Sequence, residues 1–317
     1  MSRHVLVADR GYDLDAVCGL LAPLDVAVVE DLGPWADPDA VALLVGTEVR
    51  VEAGDLERLP SLRVVATCSV GFDHIALAEA RRRGVWVCNV PDYCVEEVAD
   101  HTVALLLALL RGVVELDRDV RSGGWNHAAA GPLRRFAGTR LGVVGFGRTG
   151  RAVVERGLAL GFEVWAADPV VPAETIAAAG ARPAQLDELL AACTAVTLHL
   201  PLTPETEGLI GARELERMPA GALLVDTARE QLVDTGALLS ALEDGHLGGA
   251  ALDVLAVEPP SAESPAPQAP RLVVTPHVAW YSAEAEEAVY RRPVLSVRAV
   301  LEGREPPDAV VRPEVDL

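Results

Sequence analysis

Lysine is absent: all 27 basic residues among the 317 are arginine. That excludes Schiff-base and PLP chemistry on an enzyme lysine, and any Walker-A phosphate loop with its lysine. Cysteine is sparse. The five (Cys18, Cys68, Cys88, Cys94, Cys193) are scattered without C-x-x-C spacing or a cysteine–histidine cluster, so no metal is expected and buried thiols in a reducing compartment are. Long apolar runs are missing too. The longest, Thr102 to Leu110, stops at Arg111, far short of the roughly 20 residues a bilayer span needs, and the N-terminal run is too short for a signal peptide. A soluble cytoplasmic protein with no membrane partner is the expectation. Positive charge is outweighed, 47 acidic residues giving a net charge of −20, so direct nucleic-acid binding is not expected.

What is present is ample apolar material, 50% of the chain, and a length of about two domains. Short β-type runs alternate with helical ones. Strands are expected at 4–8, 26–29, 42–45, 63–66 and 85–88, then at 141–145, 163–167, 195–198, 223–226, 249–253 and 272–275. Continuous apolar strands separated by helices imply parallel sheets covered on both faces. Eleven strands exceed one ordinary sheet. The expected fold is therefore α/β, with two doubly wound parallel-sheet domains, Rossmann-like and flavodoxin-like, and an active-site cleft between them. The segment from Cys94 to about Arg121 has the apolar spacing of one long helix joining the domains. A second crossing is expected near 283–301, where Pro293 should kink or interrupt the helix. The boundaries so read are 1–97 plus 284–317 for the first domain and 98–283 for the second. The proline-rich stretch Glu258–Arg271 reads as a surface loop.

Gly145-Phe-Gly147-Arg-Thr-Gly150 follows an apolar strand and opens a helical stretch. A lone G-x-G-x-x-G is any glycine-rich turn. Here a second strand ends in Asp168, 18 residues past Gly150, close to the spacing of a ribose-binding carboxylate. The glycines admit a pyrophosphate to the helix N-terminus. Asp168 would repel a 2′-phosphate and no arginine follows it, so NAD is favoured over NADP.

Three titratable residues sit at the ends of late strands: Arg229, Glu258 and His277. Alone, each reads as a solvated arginine, a loop carboxylate and a capping histidine. With the motifs LGVVGFGRTGRAV, HLPLTPETEGLI, DTAREQLVD, GGAALDVLAVEP and VTPHVAWYS, and upstream SVGFDHI and NVPDYCVEEVADHTVALLL, the chain resembles the D-isomer-specific 2-hydroxyacid dehydrogenases. Within them it looks closest to the C-terminal-binding-protein branch. The resemblance implies an NAD-dependent oxidoreductase moving hydride between NAD(H) and a small 2-hydroxy or 2-oxo acid, D-specific, and a homodimer formed through the nucleotide-binding domains. It implies that Arg229 binds substrate, that His277 is the acid–base residue and that Glu258 is its carboxylate partner, favouring the charged imidazolium. Cofactor contacts carried over by motif are Arg148, Thr149, His199, Pro201, Thr206, Thr227 and Asp253. The substrate cradle is carried over to the backbone of Val70 and Gly71, to Asn89, Pro91 and Tyr93, and to Trp280, otherwise read as an aromatic packing residue. His4, His74, His127 and His246 read as structural or exposed, and His101 as core packing.

Two positions depart from the family pattern. Asp226 stands where asparagine is usual, and Glu230 where glycine follows the arginine. A carboxylate about 4 Å from a bound anion, at an effective dielectric of about 20, costs about 4 kcal/mol before screening. Glu230 therefore either points away or is paired, or it changes substrate choice toward molecules that carry an amine or lack a distal anion. A different class of function is an NAD(H)-sensing corepressor that binds peptide motifs, and a third is a family member reassigned to a specialised metabolite. Formate dehydrogenase is disfavoured, since that branch has glutamine where Glu258 stands.

Overall fold

A strand buried on both faces must be apolar at every position, and the chain supplies such runs repeatedly. The computed structural model describes residues 3–133 and 135–313. The chain divides into two units, one running to Tyr93 and resuming at Ser282, the other Cys94–Tyr281. The crossings lie four and two residues ahead of those read from the sequence. At the first, Cys94 is the N-cap of helix Val95–Arg111; at the second, Ser282 caps helix Ala283–Leu301 through its hydroxyl.

The first unit begins with β1 (Arg3–Ala8), β2 (Val26–Glu30), β3 (Ala40–Val45), β4 (Val64–Thr67) and β5 (Trp86–Cys88). The second contributes β6 (Arg140–Val144), β7 (Glu163–Ala167), β8 (Arg182–Pro183), β9 (Ala195–Leu198), β10 (Ala222–Asp226), β11 (Leu247–Leu252) and β12 (Leu272–Val274). The chain then returns to the first unit through helix Ala283–Leu301 and β13 (Ala309–Val311). The first sheet has the order β13-β5-β4-β3-β1-β2, parallel except for the β13 edge. The second has the order β12-β11-β10-β9-β6-β7-β8, parallel throughout. These are the flavodoxin-like and Rossmann orders. The strand order reverses between β1 and β3 in one unit and between β6 and β9 in the other, and ligands bind at such switch points, outside the carboxyl ends of the strands.

Alternation along each strand feeds two cores. Leu6, Ala8, Leu43 and Val45 face one layer of the first unit. Val5, Val7, Ala42 and Leu44 face the other, against Val294, Val297 and Val300 of the returning helix. In the second unit Leu141, Val143, Leu223 and Val225 pack on Ala99, Leu105 and Leu106 of helix Val95–Arg111, while Val144, Val196, Leu224 and Leu252 form the opposite layer.

Four expectations are corrected. The segment 94–121 is two helices, Val95–Arg111 and Val113–Arg121. Gly112, with φ 58°, ends one and begins the next, and a Cβ there would lie 2.3 Å from the Cβ of Ala130. Helix Ala283–Leu301 is not interrupted at Pro293, which is buried. Its packing on the first sheet outweighs the roughly 3 kcal/mol a mid-helix proline costs. Strands β8 and β13 were not anticipated, being two and three residues long and lacking a legible apolar run. Cys18 is exposed, unlike Cys88, Cys94 and Cys193; burial pushes the Cys88 and Cys193 thiols up to about 12. Among the described residues no helix is long and apolar enough to cross a membrane.

Candidate active site

The turn leaving β6 is built from three glycines with different duties. Gly145 has φ 96°, and a Cβ there would lie 2.3 Å from the His199 carbonyl oxygen at the end of β9. Gly150 sits in the first turn of helix Arg148–Ala159, where a Cβ would lie 2.0 Å from the Gly145 carbonyl. Gly147 is that helix's N-cap, and a Cβ there would meet no protein atom within 4 Å. Two glycines thus close the turn on itself, and the third leaves open space at the positive end of a helix. That shape fits a pyrophosphate. Arg148 is exposed and Thr149 half-buried beside it.

Asp168 follows β7 and accepts three backbone bonds, from Phe146 at 2.7 Å, Val170 at 2.8 Å and Val171 at 2.9 Å. Burial pushes its carboxyl up, but these N–H groups and the Arg151 charge outweigh it and hold the carboxyl below its ordinary range. An ionised acceptor with lone pairs to spare suits ribose hydroxyls. Burial holds His199 neutral, its imidazole pushed down to about 4, with Nε2 3.1 Å from the Thr197 hydroxyl. Beyond it Thr206 donates to the Pro201 carbonyl at 2.7 Å, closing the following turn.

The sheet brings the three late-strand residues to one carboxyl edge. Arg229 follows β10 and His277 follows β12, with β11 between. Glu258 Oε2 lies 2.7 Å from His277 Nδ1, and its Oε1 accepts the Leu255 N–H at 2.7 Å. The carboxylate therefore favours the tautomer with its proton on Nδ1, which leaves Nε2 as the nitrogen that could exchange a proton. His277 has φ 52°, a left-handed conformation costing a non-glycine residue about 1–3 kcal/mol. Its N–H bonds the Asp253 carbonyl at 2.9 Å.

Asp253 is buried, and its carboxylate gathers the segment around that histidine. Oδ1 accepts the Thr275 hydroxyl at 2.5 Å and the Val278 N–H at 3.0 Å; Oδ2 accepts the Ala279 N–H at 2.8 Å. Thr227 bonds Thr102 of helix Val95–Arg111 at 2.8 Å. Trp280 stacks edge-on against Tyr281 with centroids 5.5 Å apart. Two partners in this network escaped sequence reasoning, Thr275 and His101. His101 Nε2 lies 3.1 Å from Thr275 Oγ1 and 3.6 Å from Asp253 Oδ1, so core packing is not its whole part. Residues 174 positions apart leave no local pattern that could have joined them.

The two departures are resolved differently. Glu230 accepts the Thr235 hydroxyl at 2.6 Å, at the first turn of helix Thr235–Glu243, where a negative charge is favoured. That partner is a neutral hydroxyl, so the bond orients Glu230 and leaves its charge in place. Asp226 is fully buried; Oδ1 accepts the Ala228 N–H at 2.8 Å and Oδ2 is buried without a hydrogen-bond partner. Burial above all pushes its carboxyl up to about 7.

Val70, Gly71, Asn89, Pro91 and Tyr93 belong to the first unit. Its loop after β4 is pinned by its carbonyls: Ser69 O accepts from the Val90 N–H at 2.9 Å, Val70 O from Asn89 Nδ2 at 2.7 Å and Gly71 O from the Ser69 hydroxyl at 2.6 Å. The peptide planes at 69–71 are thereby set. Among the described residues no histidine, cysteine and carboxylate cluster could hold a metal ion.

Residues 103–279 match the family model described as D-isomer specific 2-hydroxyacid dehydrogenase, NAD binding domain. The chain is 37% identical over 283 residues to a glycerate dehydrogenase of Methylorubrum extorquens, covering 85% of this chain and 88% of that one. It is 38% identical over 319 residues to the D-3-phosphoglycerate dehydrogenase of Mycobacterium tuberculosis, covering 96% of this chain while spanning 58% of that protein's length. Among solved structures, D-lactate dehydrogenase from Aquifex aeolicus complexed with NAD and lactic acid superposes with a TM-score of 0.89 at 28% identity, covering 98% of this chain and 100% of that one.

Proposed function

The chain belongs to the D-isomer-specific 2-hydroxyacid dehydrogenases, NAD-dependent oxidoreductases of 2-hydroxy acids, and from that premise we propose that Arg229, Glu258 and His277 carry its reaction. The observation that carries this reading is the 2.7 Å bond from His277 Nδ1 to Glu258, on the same sheet edge as Arg229. Gly145, Gly147, Gly150 and Asp168, with Arg148, Thr149, His199, Pro201, Thr206, Thr227 and Asp253, would hold NAD(H), which when bound would supply or take the hydride. The Arg229 guanidinium pairs with the substrate carboxylate and polarises the ketone, its planar fork matching a planar anion. As the ketone oxygen gains charge, His277 Nε2 donates its proton to it. In the oxidative direction the neutral ring takes that proton back. Glu258 keeps the ring oriented and offsets the positive charge of the protonated ring. The Val70 and Gly71 backbone and the Tyr93 and Trp280 side chains complete the substrate contacts in this reading.

The substrate we favour is a short 2-oxo acid without a second anion. Glu230 places a carboxylate directly after Arg229, and the net charge of −20 gives a doubly anionic substrate no long-range attraction. Kinship with the C-terminal-binding-protein branch rests on the sequence motifs. The corepressor reading is not favoured, because the reported relatives are named as dehydrogenases. A homodimer through the second unit is supported by exposed apolar side chains at Val113, Val120, Trp125 and Leu133, Trp125 being 91% exposed. Five free cysteines support the cytoplasm as its compartment.

The deciding experiment follows NADH absorbance against glyoxylate, hydroxypyruvate, pyruvate and 3-phosphohydroxypyruvate, with His277→Ala in parallel. Turnover that falls at least about 100-fold in the variant, while NADH binds both proteins alike, is the expected result. Equal turnover by the variant would remove His277 from the chemistry.

A further inference from the structure

The left-handed turn at His277 needs an anchor, and Asp253 provides three bonds to it. Asp253 itself is 1% exposed, so its orientation depends on what reaches it from the interior. Thr275 has a single hydroxyl proton, and the 2.5 Å bond to Asp253 uses it. The contact from Thr275 Oγ1 to His101 Nε2, 3.1 Å long, is then one in which the imidazole donates. The direction of the chain follows: His101 Nε2–H donates to Thr275 Oγ1 and Thr275 O–H donates to Asp253 Oδ1, while Asp253 also accepts from the N–H groups of Val278 and Ala279 on the far side of His277. His101 stands on helix Val95–Arg111, whose residues Ala99, Leu105 and Leu106 pack into the core of the second unit. It thus ties a rigid element to a turn that carries strain.

We propose that His101 is a positioning residue for the reaction: by donating to Thr275 it holds the Asp253 carboxylate in the rotamer that presents His277. It never touches the substrate, and the role rests on the dehydrogenase reading above. A side chain that merely filled space here would be replaceable by an apolar one of similar volume. A donor at Nε2 would be replaceable only by another donor at that reach, which glutamine supplies.

The test compares His101→Leu, His101→Gln, Thr275→Val and the double variant His101→Leu/Thr275→Val in the full chain. With a 2-oxo acid that the wild type turns over, His101→Leu is expected to lower kcat about tenfold. Substrate KM should stay within about threefold, and His101→Gln should recover most of the loss. Thr275→Val should match His101→Leu, and the double variant should lose little more, because both cut one chain. Amide hydrogen exchange supplies a readout independent of turnover. Protection of the Val278 and Ala279 amides should drop at least about fivefold in His101→Leu, with core amides of β10 unchanged. Wild-type kcat with unchanged protection in His101→Leu would overturn the proposal. So would fully additive losses in the double variant, or glutamine performing no better than leucine with a parallel fall in melting temperature. Should the wild type reduce none of the 2-oxo acids, the dehydrogenase reading fails, and the exchange data still decide the part His101 plays in the turn.

Discussion

Replacing Asp226 by asparagine perturbs a carboxyl buried completely at the end of β10. Burial is the largest influence on it. The N–H groups of Ala228 and Arg229 and the Arg229 charge pull the other way, and Glu230 adds a repulsion; the outcome is a carboxyl pushed from 3.8 up to about 7. An acid that holds its proton more tightly when folded makes the native state bind more protons than the unfolded one between those two values. Unfolding free energy therefore declines as pH rises from about 4 to about 7, and is level above that. About three units at 1.36 kcal/mol each amount to about 4 kcal/mol. Asparagine keeps an acceptor for the Ala228 N–H and never ionises. It sets an amide donor where Oδ2 now lies unpartnered, at a cost of about 1–2 kcal/mol. The net expectation is that Asp226→Asn is more stable by about 2–3 kcal/mol at pH 8.5, while the two proteins lie within about 1 kcal/mol at pH 4.5. Urea unfolding at both pH values measures this directly. A difference independent of pH, or a variant less stable at pH 8.5, would refute the reasoning.

Three further outcomes are expected. Gly147→Ala should melt within about 2 °C of the wild type, since its Cβ meets no protein atom, yet bind NADH about tenfold more weakly in a fluorescence titration. Gly150→Ala, whose Cβ would sit 2.0 Å from a carbonyl oxygen, should instead lose at least about 2 kcal/mol of stability; equal NADH affinity for Gly147→Ala and wild type would count against the cradle. Asp168→Ser should raise the ratio of kcat/KM for NADPH over NADH at least about tenfold and lose stability from its three backbone bonds. An unchanged ratio would remove Asp168 from cofactor choice. Glu230→Gly should raise kcat/KM for 3-phosphohydroxypyruvate at least about tenfold relative to glyoxylate, and an unaltered ratio would show that the Thr235 bond already keeps the charge from the substrate.

Much of the site was readable because its parts are local. The three glycines and Asp168 fall within 24 consecutive residues, and strand–turn–helix chemistry ties their spacing to a pyrophosphate and a ribose. The continuous apolar strands showed two covered parallel sheets for the same reason: burial on both faces leaves no polar position to write. The break at Gly112 was not legible. The apolar spacing continues across it, and only the fold shows a left-handed residue there with no room for a Cβ beside Ala130. Strands β8 and β13 escaped because edge pairing needs only two or three residues and is set by the neighbouring strand.

The amino-acid sequence by itself determined the fold class and the dinucleotide signature of Gly145, Gly147, Gly150 and Asp168, which residue type encodes at short range, while motif resemblance singled out Arg229, Glu258 and His277. Only the tertiary structure decided how those residues are held. It placed His277 in a left-handed turn, gathered Val278, Ala279 and Thr275 on Asp253, and brought His101 across 174 positions to join them. It also decided that Glu230 is bonded to the Thr235 hydroxyl while Asp226 is buried with one oxygen unsatisfied. Pairing and desolvation depend on which groups come within about 3 Å and on the exclusion of water, and both are properties of packing that no stretch of sequence contains.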